Sequence, residues 1–256
     1  MSWKEVGDEG SGLWENKDFS GGLNANDEDV ADTQSMDCMN VYWKDAALRK
    51  MYGVVKYVTD PVVDGTPVTG ITQYRTGAGG NYILATCGAT IKRLSGASWV
   101  DVTGSATIAS TTLKHSFAIM NDNLIGTKGT DAPWTLSTTG SAAALGGTPP
   151  RGKYVLNYRN HLVMLNCLVS ATQYPQRAYR SAQYSATSWN TTDDYWNFET
   201  RSATPLTGGI AQNSRLLGLK EDSIGVLMGA SAATFALYPQ AFPNIGCLSG
   251  YTVGEG

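Results

Sequence analysis

Two histidines, four cysteines, one adjacent pair of aspartates and a crowd of aromatic rings are the residues here whose types could do chemistry. Asp193 and Asp194 would suit the paired acids of a glycoside hydrolase. Neighbouring residues on a strand point to opposite faces, however, and the flanking Thr192 and Tyr195 suggest a loop, so the pair reads as surface carboxylates. His115 precedes an apolar run and His161 sits in a turn, which makes each a structural or surface residue rather than a base. Cys38, Cys87, Cys167 and Cys247 form no Cys-x-x-Cys pair, so zinc and thioredoxin-like chemistry fail on spacing. Cys87 and Cys167 each fall six residues after a turn residue, Asn81 and His161, and read as small core residues kept reduced.

Other motifs fall short in the same way. Gly77–Ala78–Gly79–Gly80 lacks the Lys-Ser/Thr end of a phosphate loop and is read as a hairpin turn. Neither a Gly-x-Ser-x-Gly elbow nor a His-Glu-x-x-His helix occurs, and the repeated Asp boxes of sialidase-type propellers are missing. Asn190–Thr191–Thr192 is a glycosylation triplet, but Met1–Gly10 carries acidic residues where a secretory leader needs a basic region and an apolar run. Asp27, Glu28, Asp29, Asp32 and Asp37 lack the fixed ligand spacing of a calcium loop and read as a solvated face. No catalytic residue, cofactor site or metal ligand is assigned.

The aromatic crowd is more informative. Tyr174, Tyr179, Tyr184, Trp189, Tyr195, Trp196 and Phe198 lie close in sequence. Tyr179, Tyr184, Trp189, Tyr195 and Trp196 are the candidate stacking or interface residues. Such rings can form a platform for a sugar, but they more often wedge between sheets or fill an assembly interface.

What must position these residues is a repeated unit. From Phe117 to Leu136 a short apolar run, an Asn121–Asp122–Asn123 turn, a second run at Leu124–Ile125 and a closing Trp134–Thr135–Leu136 follow one another. Strand-length apolar runs bounded by Asn, Asp, Gly and Pro signal antiparallel strands joined by tight turns. The pattern recurs at Asn81–Ala85, at Asn160–Leu165 and at Asn213–Leu219. With Ile83, Ile125, Val163 and Leu217 as equivalent points, subtraction of residue numbers gives spacings of 42, 38 and 54. A period of roughly 40–50 residues, one small sheet per repeat, fits a β-propeller blade.

The predicted fold is therefore all-β: a propeller or partial propeller of small antiparallel sheets over 54–256, after an irregular assembly segment at 1–53. That segment holds the aromatic patch Trp14–Asn24, a helical turn or short helix over Ala31–Val41 and a small basic patch at Leu48–Gly53. Strands are predicted at Val54–Val58 and Ile71–Tyr74. Blade one then holds Tyr82–Thr86, Thr90–Leu94 and Trp99–Val102, and blade two is Phe117–Leu136. Ser137–Gly147 reads as a flexible loop. Blade three starts at Lys153, and in blade four, from Gly208, Leu216–Leu219 pairs with Ser223–Leu227. Four repeats close as a small ring or leave an open one.

Composition agrees. At 256 residues the chain can bury a sizeable core. Charged residues are only 16% while glycine numbers 29, a balance that favours short strands and turns over long helices. A net charge of −3 leaves no electrostatic footprint for nucleic-acid binding, and no apolar run is long enough to span a bilayer.

Phe19–Ser20–Gly21–Gly22–Leu23–Asn24, the Asn40–Val41 step and Leu48–Arg49–Lys50 with Gly53 resemble the opening of bacteriophage β-propeller tail proteins. Arg180–Ser181 with Thr187–Ser188–Trp189, and Leu219–Ile224 before Gly246–Cys247, are similar to later landmarks of that group. The resemblance covers most of the chain, although related propellers usually continue further. It implies a virion building block rather than an enzyme: a nozzle, hub or adaptor subunit, assembled in the host cytoplasm. Its partners would be copies of itself in a ring and neighbouring tail or portal-adaptor proteins, with genomic DNA passing unbound. A receptor-recognition module that binds carbohydrate through the aromatic crowd is the alternative, and a hydrolase using Asp193 or Asp194 is a more distant one.

Overall fold

The structure, a computed structural model, describes residues 58–252 apart from 59, 63–65, 139, 213, 230 and 232, together with six short strands within 1–57. The chain divides into two compact units, Met1–Tyr57 and Val58–Gly256. In the first, β1 (Lys4–Glu5) pairs antiparallel with β2 (Trp14–Glu15), β3 (Gly22–Leu23) pairs parallel with β4 (Gln34–Ser35), and β5 (Val41–Lys44) forms a hairpin with β6 (Ala47–Lys50). The helical turn expected over Ala31–Val41 is thus corrected at Gln34–Ser35 and at Val41, which are strand. Its weak apolar spacing is too short to offset helix nucleation, and Val-Tyr-Trp at 41–43 favours extended backbone. The acidic cluster at 27–32 and Asp37 lies outside the described residues, as do 54–57 of the strand expected at Val54–Val58.

The second unit is all-β with almost no helix: four antiparallel sheets of four strands each, every one a simple meander. Sheet one is β7 (Val68–Arg75), β8 (Asn81–Cys87), β9 (Thr90–Ser95) and β10 (Ser98–Asp101). Sheet two is β11 (Ser116–Met120), β12 (Asn123–Thr127), β13 (Trp134–Leu136) and β14 (Ala143–Ala144). Sheet three is β15 (Arg151–Tyr158), β16 (His161–Val169), β17 (Thr172–Arg180) and β18 (Tyr195–Asn197). Sheet four is β19 (Leu206–Gln212), β20 (Arg215–Lys220), β21 (Ser223–Met228) and β22 (Ala236–Pro243), and one 3₁₀ turn, Gly250–Thr252, follows it.

The turns explain the meander. Asn121 and Asp122 both have positive φ, and so do Arg159 and Asn160. Each pair joins two strands through a two-residue loop of the mirror-image kind whose twist matches that of a hairpin. Gly77–Gly80 lies in the turn from β7 to β8, as its composition indicated. One expectation changes here: the loop at Ser137–Gly147 contributes β14, because Ala143 and Ala144 pair with Thr135 and Trp134 along the edge of sheet two.

Side-chain alternation gives each sheet two faces, and the core lies between consecutive sheets. Tyr74, Leu84 and Ile91 of sheet one pack with Leu124, Trp134 and Leu136 of sheet two. The other face of sheet two, with Ala118, Met120 and Ile125, meets Val155, Leu162, Met164 and Tyr179 of sheet three. The other face of sheet three, with Val163, Leu165, Ala178 and Trp196, meets Leu206, Leu216 and Leu227 of sheet four. First strands lie against one another, β11 against β7 and β15, and β15 against β19, as inner strands of propeller blades do. Leu84, not Ile83, therefore occupies the place equivalent to Ile125. The longer turn before β8 shifts the register by one residue, which flips every side chain.

Close packing is visible at Gly126. It sits opposite Trp134 and Phe117, and the indole occupies the space that a Cβ would need. Gly218 and Gly225 likewise make room for the Phe198 ring, which is fully buried.

Candidate functional site

The structure divides the aromatic crowd. Cross-strand partners are Tyr179 with Tyr195 and Ala178 with Trp196, so alternation sends the two aromatic sets to opposite faces of sheet three. Tyr179 is 1% exposed and belongs to the core against sheet two; Trp196, at 9%, and Phe198 belong to the core against sheet four. Both sequence-selected residues are wedges between sheets in this chain and offer no open ring face. Tyr195, Trp189 and Tyr174 are half-buried at the rim of the sheet two–three core. Trp189 Nε1 donates to the Ala186 carbonyl at 2.8 Å. Tyr184 alone of the crowd stands out at 63% exposure, on a positive-φ turn whose carbonyl accepts from Asn121 Nδ2 at 3.0 Å.

What ties the rim together is Arg177, which the sequence reading passed over. Its guanidinium carbon lies 4.3 Å from the Tyr174 ring centre and 4.2 Å from that of Tyr195. Nη1 donates to Tyr179 Oη at 3.3 Å. Cation–π contact of this kind uses the ring faces that a sugar would stack on. Burial raises the Tyr179 phenol above its ordinary range, while Arg177 pulls it back. A second arginine, Arg180, lies over Trp196 at 5.6 Å and binds Asp194 at 2.5 Å. Asp194 is thus held as an ion-pair partner, and Asp193 accepts from Asn190 Nδ2 at 3.2 Å within the same turn. The pair lies in a turn rather than on a strand.

Both histidines are buried. His161 begins β16, and its Nδ1 lies 2.7 Å from the Ser181 carbonyl, an acceptor only, so Nδ1 carries the proton. His115 is 4% exposed between sheets one and two. Its Nδ1 is 3.3 Å from Thr69 Oγ1, and Nε2 has no partner. Desolvation pushes its pKa down to about 4, the nearby Lys128 adding to this and Asp131 opposing it. Lys128 is itself buried, paired with Asp131 at 2.8 Å and donating to the Ser110 carbonyl. Cys87 and Cys167 are buried free thiols, pushed up by burial, and Cys247 is a half-buried free thiol. Cys38 lies outside the described residues. Among the described residues no group of three or more His, Cys, Asp or Glu is placed to hold a metal, and no helix is long and apolar enough to cross a membrane.

The feature with most capacity for recognition is the outward face of sheet four. Leu217, Val226 and Tyr238 stand side by side across three strands, and Ile224 pairs with Phe242. With Met228 and Ala241 they line a groove of about 250 Å³ whose rim carries Arg215. Tyr238 and Phe242 are each 51% exposed. The signal was present in the sequence. Leu216–Leu217 and Val226–Leu227–Met228 are unbroken apolar runs, and a strand without alternation is one whose two faces are both meant to be covered. No known family model matches this sequence, and no characterised protein matches it either.

Proposed function

We propose that this protein is a structural subunit of a bacteriophage tail, assembling as a ring around the DNA channel alongside neighbouring tail or portal-adaptor proteins. The observation that carries the reading is the outward face of sheet four: an apolar sheet surface, built like the covered ones, that four stacked sheets leave open. Exposed apolar patches of this order mark protein contacts. The sequence landmarks shared with phage propeller tail proteins give the contact its setting. Doubly wedged sheets resist deformation, which suits a mechanical part. The chain's charge of −3 suits a wall that DNA passes, since a cationic wall would hold phosphates through counterion release.

The first strands carry Arg75, Arg151 and Lys153 and no carboxylate. The DNA path in this reading is consequently the lumen of the subunit ring, not the propeller's own axis. Cryo-electron microscopy of the particle that carries the protein, with mass spectrometry of purified virions, tests the proposal. The expected result is a ring of copies with a lumen that is not basic. Absence from purified particles, or a lumen lined by lysine and arginine, would overturn it.

A further inference from the structure

We infer that the cavity between the first strands of sheets one and two binds a small hydroxylated oxyanion, a phosphate monoester or its carboxylate counterpart. The cavity shares no residue with the sheet-four groove and does not depend on the tail reading. It measures about 390 Å³, within the usual range of small-molecule sites. β7 supplies residues 69–72, the start of β11 supplies 114–117, and the turn after sheet four supplies Gly250 and Tyr251. Gly70 lets the two strands close on each other, since a Cβ there would meet the Phe117 ring at 2.8 Å.

The charge in this cavity is Lys114, and Tyr251 holds it twice. The phenol donates to the Lys114 carbonyl at 3.2 Å, and the ring lies under the ammonium, with Nζ 5.4 Å from its centre. Burial, with Tyr154 adding to it, pushes the phenol up to about 12, so the donor keeps its proton. Tyr251 is fixed in turn by the Tyr154 ring at 5.3 Å and by Gly250 lying against Gly208. Lys114 is therefore a positioned lysine, yet it stays exposed and forms no ion pair among the described residues. No Asp or Glu is among the residues that line the cavity. Asp131, the carboxylate that acts on His115, is taken up by Lys128 at 2.8 Å. A recess with one uncompensated positive charge concentrates anions.

The rest of the wall offers hydrogen bonds. β7 pairs with β8 along one edge only, and on its other edge the His115 N–H reaches the Thr69 carbonyl at 3.0 Å. A free strand edge presents N–H groups that oxygen ligands accept from. Thr72 Oγ1 makes a single long bond, 3.5 Å to the Gln73 carbonyl, which leaves its hydroxyl free to turn to a ligand. His115 is also in the wall, and its Nε2 is a buried polar atom without a partner. An apolar occupant would leave these groups unmet, at a cost that a hydroxylated one avoids. A bare phosphate fills only a fraction of the volume, so the occupant carries hydroxyl groups beside its charge.

Heteronuclear NMR titration of the full chain tests this. Glycerol 3-phosphate and glycerate should each shift the amides of Ile71, Thr72, Ser116 and Gly250 saturably, the dianionic phosphate with a Kd of about 1 mM or tighter. Inorganic phosphate should shift the same amides more weakly, and uncharged glycerol should leave them in place. Lys114→Gln should raise the Kd about tenfold or more, and Thr72→Val severalfold. Lys114 is exposed and Thr72 half-buried, so both variants should keep the wild-type melting profile. Lys153→Gln removes an equal charge from a lysine that lies over the Tyr154 ring outside the cavity, and it should bind as wild type does. Three results overturn the inference. One is the absence of saturable shifts up to about 20 mM, well above the expected Kd. Another is an equal loss in Lys153→Gln and Lys114→Gln, which indicates a diffuse field rather than a site. The third is a short DNA duplex that shifts these amides when glycerol 3-phosphate does not, which indicates a nucleic-acid contact.

Discussion

Sheets three and four are built alike and finish differently. Each has a second strand that is apolar on both sides, Leu162–Leu165 in one and Leu216–Leu219 in the other. Sheet three is covered twice, by sheet two and by sheet four, and the four residues at 162–165 are all fully buried. Sheet four is covered once, and Leu217 of its central pair is left half-buried beneath Tyr238 and Phe242. The same local chemistry thus yields core in one place and surface in the other. The apolar content of a strand tells how many faces need partners; the fold tells how many the chain itself supplies.

The comparison can be broken most sharply at Phe198, which fills the covered side of sheet four above Gly218 and Gly225. Phe198→Ala should cost about 3–5 kcal/mol in urea unfolding, from lost burial plus the cavity left behind. A cost below about 1 kcal/mol would mean that the covered face is not packed as a core.

The sheet one–two interface sharpens the contrast through pH. His115 is held near pKa 4 when folded against an ordinary 6.5, so the folded state prefers the neutral ring. Its contribution is complete above pH 6.5 and is lost as the unfolded chain takes up the proton between 6.5 and 4. A fall from 6.5 to about 4 corresponds to roughly 3 kcal/mol. Stability measured at pH 7 and pH 4.5 should show most of that fall in wild type, and His115→Gln should flatten it.

Gly218→Ala is the next smaller effect. A Cβ there would meet the Phe198 ring at 2.5–3.0 Å, and overpacking of this kind costs about 1–3 kcal/mol. Thermal denaturation measures it, and a neutral result would show that the ring moves freely. Smallest of all is Phe242→Ser on the open face. Monomer stability should change by no more than about 0.5 kcal/mol, as for a surface position. A loss as large as that for Phe198 would remove the distinction between the two faces.

Much of this architecture could be read from residue order. The Asn121–Asp122 and Arg159–Asn160 turns declared themselves through residues that tolerate positive φ, and the apolar runs after them became the central strands. Trp196 and Tyr179 were legible as wedges in type but not in direction. Their facing depends on which strand residues pair, and β17 carries an irregularity between its Tyr174 and Ala178 pairings that no local pattern announces. Arg177 sits within that irregularity, which is why its stacking on two tyrosines could not be foreseen. The register of sheet one was misjudged by one residue because turn length, not strand composition, sets it. The helical turn expected over Ala31–Val41 gives way to strand at Gln34–Ser35 and at Val41 for want of a strong period.

Every sheet is drawn from one uninterrupted stretch: Val68–Asp101 holds all of sheet one, and Leu206–Pro243 all of sheet four. Among the described residues, no strand of these four sheets waits for a distant segment to pair with. Short closures carry a small entropic penalty and form early, so a sheet can complete itself as its last strand leaves the ribosome. The nascent chain then need only stack finished pieces in the order of their synthesis, and strand edges stay unpaired only briefly, when aggregation would be most damaging.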